Sequence, residues 1–167
     1  MELRLHPHEW SRPRPDWRAA VVAGLVAGAV LMVLDMAWSV FVTGDSPWRS
    51  SYRVAAIVLG RDVLQATADF DSLIVGVALV THYVLGVAFA LLLATLLTGF
   101  HYDASPGMTE LIGTLFGAVL YLVNFHGLAQ FFPWLAEWRG WAAFIAHLVF
   151  GMTAATLYWQ FARHEPS

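Results

Sequence analysis

The sequence contains neither cysteine nor lysine, and charged residues make up only 13% of its 167 residues. Without cysteine there are no disulfides, no thiolate metal ligands and no thiol nucleophile. A soluble domain usually carries about 25% charged residues, so this chain has too little polar surface to stay compact in water. The net charge of −3 and the scattered arginines give no indication of nucleic-acid binding.

Hydrophobic residues make up 59% of the chain and concentrate in four segments. Each segment approaches the roughly 20 residues that a helix needs to cross a bilayer. Backbone groups in lipid must bond within their own segment, which favours helices, and the segments lack the alternation of barrel strands. We therefore predict an all-α fold, a transmembrane four-helix bundle that forms a single domain. The predicted spans are residues 19–42, 73–97, 111–132 and 141–159.

The first loop, residues 43–72, is the longest and contains a second amphipathic pattern. On a helix, one face would carry Val54, Ile57, Val58 and Leu64, with the polar side chains elsewhere. This predicts a short interfacial helix over about residues 53–68. Asp71 is placed to cap the second span.

Arginine placement predicts the orientation. Arg4, Arg12, Arg14 and Arg18 precede the first span, which favours a cytoplasmic N-terminus. Four spans then place Arg163 and the C-terminus on the same side. The opposite surface carries Arg49, Arg53, Arg61 and Arg139, so the balance is five against four. We expect a multi-pass protein of a bacterial inner membrane with both termini in the cytoplasm.

Ionisable residues interrupt all four spans. Counted from the surface of the first and third loops at about 1.5 Å per residue, they lie roughly 9 to 14 Å deep, in one leaflet. An aspartate near the bilayer centre costs about 2.5 to 3.5 kcal/mol on insertion scales, so such a residue usually has a partner or a function. The ionisable residues are Asp35, His82, His126 and His147, and Asn124, Gln130 and Thr81 accompany them.

Small residues predict which faces of the helices meet, because they let membrane helices approach closely. The residues predicted to pack between helices are Gly24, Gly28, Gly86, Gly113, Gly117 and Gly151. Asp35, His82, Asn124 and His147 share faces with them and should point into the bundle. His126 lies about 200° around the helix from Asn124, so we expect it to line a second crevice or to face a partner protein.

Three interpretations of this polar cluster remain open. It could be a hydrogen-bonded network that fixes helix register, a ligand site, or a proton path. As a ligand site, His82 and His147 could hold a b-type haem. Alternatively, the histidines and Asp35 could bind a divalent metal, or hydrogen-bond a quinone. A nucleophile elbow, a P-loop and a dinucleotide fingerprint are all absent from the sequence, so we do not expect an enzyme.

Several stretches resemble small, uncharacterised four-span proteins of proteobacterial inner membranes, some of which carry the label sodium:proline symporter. The stretches are GDSPWR at 44–49, AAIVLG at 55–60, LVNFH at 122–126 and FPW at 132–134, together with His82 and His147. The layout is similar, more distantly, to the YagU-type family, which has a histidine in each later span and a proline after the third. The resemblance covers most of the chain and implies a four-span membrane fold.

Together these patterns predict a non-enzymatic membrane protein, such as an accessory subunit of a respiratory or other redox complex. Its cluster would bind a ligand, another membrane subunit or a second copy of the chain. The alternatives are a small transporter or proton-conducting oligomer, and a carrier of haem b. Secondary transporters are built from paired repeats around a midplane site, so four spans would have to oligomerise to form one.

Overall fold

The computed structural model describes residues 14–162, and this part of the chain is helical without any strand. Four of its helices are long and apolar enough to cross a membrane, which confirms the predicted all-α four-helix transmembrane bundle. Arg4, Arg12 and Arg163 lie outside the described residues. The α-helices are α1 (Trp17–Phe41), α2 (Arg49–Leu59), α3 (Ser72–Gly99), α4 (Pro106–Leu122) and α5 (Trp141–Ala162).

Polar side chains set the starts of three spanning helices. Asp16 caps α1 and Asp71 caps α3, each carboxylate accepting two backbone N–H bonds from the first turn. The cap predicted at Asp71 is therefore confirmed. Ser105 caps α4, and Pro106 occupies its first turn, where a missing N–H costs nothing. These two residues start the third span five residues earlier than the predicted residue 111.

The helices pack in a fixed order. α5 lies along both α4 and α1, and α1 lies along α3, whereas α3 and α4 contact each other sparingly. Small residues dominate the interface of α1, whose buried apolar side chains are all alanines. Larger side chains, including Leu93, Leu97, Phe116 and Phe150, complete the core.

Glycines lie at the closest approaches between the helices. A Cβ atom on Gly24 would lie 2.8 Å from the Cβ of Ala90 and 2.9 Å from the carbonyl oxygen of Gly86. Between α4 and α5, Gly151 faces the backbone of both Gly113 and Gly117. Gly28 faces the ring of His82. All six glycines that the sequence predicted as packing residues therefore lie against a neighbouring helix.

The helix of the first loop differs from its prediction. α2 begins at Arg49, four residues earlier than expected, and ends at Leu59, because Gly60 adopts a φ of 91°. A separate 3-10 turn, Arg61–Gln65, follows it. Val58, on the predicted apolar face, is 63% exposed, as expected of a helix face that contacts lipid at the membrane interface. The buried residues of α2 are Ser50, Tyr52, Ala55 and Ala56, and α2 packs mainly against α3.

Polar contacts tie α2 to the end of α1. The Ser39 hydroxyl donates to the Ser46 carbonyl at 2.8 Å, and the Arg49 guanidinium donates to the Asp45 carboxylate at 3.0 Å. The hydrogen bond from Arg49 holds the pKa of Asp45 below its ordinary value. At the other end of the loop, the Tyr52 hydroxyl donates to the Asp69 carbonyl at 3.0 Å. The first loop is thus held against the bundle.

Replacing Gly24 with alanine should destabilise the bundle by about 1 to 3 kcal/mol, because the added methyl group overpacks the α1–α3 contact. Gly76 is the matched control, since no atom lies within 4 Å of a Cβ placed there. Gly76→Ala should leave stability unchanged or raise it by up to about 1 kcal/mol. Titration with SDS in mixed micelles measures the free energy of unfolding of both variants. Equal stabilities would contradict the packing described here.

Candidate functional site

A cavity of about 470 Å³ opens at the surface formed by the first and third loops. It extends inward from Trp141 to Phe150 on α5, a distance of about 14 Å at 1.5 Å per residue. Its walls are mainly apolar, and seven aromatic side chains line it. These are Trp38, Phe89, Phe125, Phe132, Trp138, Trp141 and Phe150.

Four of the predicted polar residues line this cavity from four different segments. Asp35 comes from α1, His82 from α3, Asn124 from the segment after α4, and His147 from α5. The remaining predicted residues lie elsewhere. His126 is exposed beside the ring of Tyr121, Gln130 is exposed, and Thr81 is half-buried away from the cavity.

His82 joins two helices. Its Nε2 atom lies 2.8 Å from the carbonyl oxygen of Gly28 on α1. A carbonyl can only accept, so Nε2 carries the proton and donates it. The ring lies beside Gly28, since a Cβ atom placed there would be 3.7 Å from the ring, an ordinary van der Waals contact.

His147 is engaged at both ring nitrogens. Nδ1 donates to the Ala143 carbonyl at 2.8 Å, one turn earlier on α5. That bond leaves Nε2 as an acceptor, and the Asn124 amide donates to it at 3.1 Å. The rings of Phe125 and Tyr121 pack edge-on against the imidazole. His147 is thus fixed as a neutral ring that links α5 to the end of the third span.

Asn124 reaches His147 from a local departure from α-helix. Residues Val123–Gly127 form a single π-helical turn, closed by the Leu128 N–H donating to the Val123 carbonyl. Such wide turns inside membrane or soluble helices frequently mark functional sites. The sequence analysis missed this turn and assumed a continuous helix through residue 132. Its only local signal is Gly127, a poor helix former.

Arg53 is the site residue that the sequence analysis missed. Its guanidinium carbon lies 5.1 Å from the centroid of the Trp138 ring, within cation–π range. Its Nε atom is buried without a hydrogen-bond partner among the described residues. Burial lowers the pKa of Arg53 from its ordinary value, while the nearby Asp35 carboxylate raises it. Arg53 had been predicted to lie on the polar face of an interfacial helix.

Asp35 lines the cavity and is an exposed residue. Within residues 14–162 it forms no hydrogen bond and no ion pair. His82 and Arg53 are near enough to act on it electrostatically. The cavity lining therefore includes one carboxylate without a hydrogen-bonded partner among the described residues.

The histidine geometry does not fit a b-type haem held by His82 and His147. Axial ligation needs a free ring nitrogen on each side of the iron, but both nitrogens of His147 are engaged. A divalent metal fits no better, because no three His, Cys, Asp or Glu side chains come together in the described part of the chain.

Comparison with known proteins adds no relative: no family model, no curated protein and no solved structure matches the chain. The site must therefore be interpreted from its own chemistry.

The bond between Asn124 and His147 should contribute about 0.6 kcal/mol, the mean for hydrogen bonds between membrane helices. A double-mutant cycle with Asn124→Ala and His147→Phe, followed by SDS unfolding, measures this coupling. A second cycle, with Gln130→Ala in place of Asn124→Ala, is the control. It should give no coupling, since among residues 14–162 Gln130 bonds only the His126 carbonyl. Equal coupling in both cycles would contradict the assigned network.

Proposed function

We propose that this multi-pass membrane protein is non-enzymatic and binds a small, largely apolar molecule in the cavity between its helices. The observation that carries the proposal is the convergence of Asp35, Arg53, His82, Asn124 and His147 on one mainly aromatic cavity. Ligand sites typically have volumes of about 300 to 1,000 Å³, with apolar walls and a few convergent polar groups. The cavity has this size and this composition.

The lining supports binding over a purely structural network. A hydrogen bond between membrane helices contributes on average about 0.6 kcal/mol, and Asp35 makes none among the described residues. An intramembrane carboxylate that adds no bond to the fold is costly to retain for stability. Binding a ligand gives this group a partner and accounts for its position beside an open space.

An accessory role fits the short segments between the helices. In the described part of the chain, the longest connection between spanning helices, residues 42–71, is folded against the bundle. It leaves little chain outside the membrane to form a catalytic domain. We therefore place the protein as a ligand-binding subunit that works beside other membrane proteins, for example in a redox complex, with exposed residues such as His126 available to a partner.

Conduction of protons or ions by a single chain is less favoured. Phe89 and Phe150 are the lining residues furthest from the open surface. Beyond them, Leu93, Leu97 and Ala154 are buried in the core. A path across the membrane would therefore require a rearranged bundle or a second copy of the chain.

We place the protein in a bacterial inner membrane with both termini in the cytoplasm. Arg14 and Arg18 at the start of α1 support this orientation through the positive-inside rule. The absence of cysteine from the chain makes the orientation directly testable.

Single cysteines introduced by Asp62→Cys in the first loop and Ala104→Cys in the second should report opposite surfaces. In spheroplasts, a membrane-impermeant maleimide should label D62C at once and A104C only after the membrane is permeabilised. The cysteine-free parent is the control for background labelling. The reverse pattern would place the termini outside the cytoplasm.

Filling the cavity should abolish binding. Brominated phenylbutanol, a probe with an apolar body and one hydroxyl, should quench tryptophan fluorescence saturably in lipid nanodiscs, because Trp38, Trp138 and Trp141 line the cavity. Ala143→Phe, and independently Ala142→Phe, should remove the saturable part, since both alanines line the cavity.

The matched control is Val80→Phe on α3, a side chain that is 66% exposed and outside the cavity lining. In this variant the probe should quench tryptophan fluorescence saturably, as it does in the parent. Quenching that never saturates, or that is identical in the parent and both filled variants, would show only partitioning of the probe into lipid and would refute the proposed function.

A further inference from the structure

We propose that the ligand of this cavity is a protonated amine on an apolar body, with Asp35 as its anchoring group. The inference rests on the proposed function and specifies the ligand class. Its first basis is the open carboxylate, which has two acceptor oxygens and no hydrogen-bonded partner in the described residues. A charge-assisted N–H bond to such an oxygen is among the strongest that a side chain can form.

The protein itself takes up the ring donors of the two histidines that line the cavity with Asp35. The ring N–H groups of His82 and His147 are both taken by backbone carbonyls, and one amide N–H of Asn124 is taken by His147. The two oxygens of Asp35 remain as acceptors. A quinone, which presents only carbonyl oxygens, could accept from Arg53 and Asn124 but would leave the Asp35 carboxylate without a partner. A ligand that donates hydrogen bonds gives this carboxylate a partner.

The aromatic side chains that line the cavity favour a positive charge on the hydrogen-bond donor of the ligand. Trp38, one turn from Asp35 on α1, packs edge-on against Trp141 with ring centroids 4.7 Å apart, and both line the cavity. Aromatic faces attract cations, tryptophan most strongly. The Arg53 guanidinium already lies over Trp138 in the same lining, so this wall accommodates a cation.

The position of Arg53 also explains why an anionic ligand is less favoured than a cationic one. Its guanidinium has an aromatic partner in Trp138, whereas the Asp35 carboxylate has no partner in direct contact. Arg53 lies on α2, outside the four spanning helices, and Asp35 lies within α1. A bound amine would therefore neutralise the deeper charge, and its apolar body would contact Leu31, Phe89, Leu120 and Phe150.

The test compares phenylbutylamine with phenylbutanol, which have the same apolar body and differ in the charged group. Isothermal titration into nanodiscs of zwitterionic lipid at neutral pH, with empty discs subtracted, measures both affinities. The parent should bind the amine about tenfold more tightly than the alcohol, as expected for one hydrogen bond to a charged group. Asp35→Asn should abolish this preference and leave the affinity for the alcohol within about twofold.

Two further variants complete the test. Asp62→Asn, in the exposed 3-10 turn outside the cavity, is the matched control and should keep the preference. Arg53→Gln should increase the preference several-fold, because it removes a competing positive charge. Arg53→Gln tests the inference even if Asp35→Asn fails to fold. If Arg53→Gln leaves the preference for the amine over the alcohol unchanged or makes it smaller, the inference is overturned.

The outcomes separate this inference from the proposed function. Saturable binding of both probes with equal affinity would overturn the amine assignment and leave the cavity as a general apolar ligand site. A preference for the amine that survives Asp35→Asn would overturn the anchoring role of Asp35. No saturable binding of either probe would overturn both proposals.

Discussion

Close contact between helix backbones is the constraint on which the rest of this structure depends. Without a hydrophobic driving force in lipid, helices associate through tight packing and hydrogen bonds between them. Gly24 and Gly86 bring α1 against α3, and Gly113 and Gly151 bring α4 against α5. α1 also packs along α5, whereas α3 and α4 have little contact with each other. The cavity lies among these unevenly packed helices.

The histidines show how the same contacts prepare the site. His82 reaches the Gly28 carbonyl on α1 from its position on α3. The carbonyl of His147 lies directly against Gly117, which fixes the depth of α5 beside α4. Both rings are thus held by the backbone, and the open acceptor of Asp35 lies in a wall of fixed shape. Such preorganisation reduces the entropic cost of binding.

The sequence predicted the spans well because their signal is additive over about 20 residues, and small errors at the ends change little. It also predicted which polar residues would line a common space, since the glycine stripes define the inner face of each helix. The sequence failed to predict features that depend on packing between different helices and loops. The turn at Val123–Gly127 and the buried face of α2 follow from packing that no single-helix pattern contains. Arg53 was missed for this reason, because its environment is supplied by Trp138 of a distant loop.

The depth of the cavity bears on how the ligand proposed above would be supplied. The cavity extends within the depth of the spanning helices, and an apolar ligand would be concentrated at that depth by dissolving in the bilayer. Its occupancy would then follow its concentration in the membrane, which for an apolar molecule exceeds its concentration in water. A modest intrinsic affinity would suffice for saturation, and the lipid composition of the host membrane would act as a control on the protein.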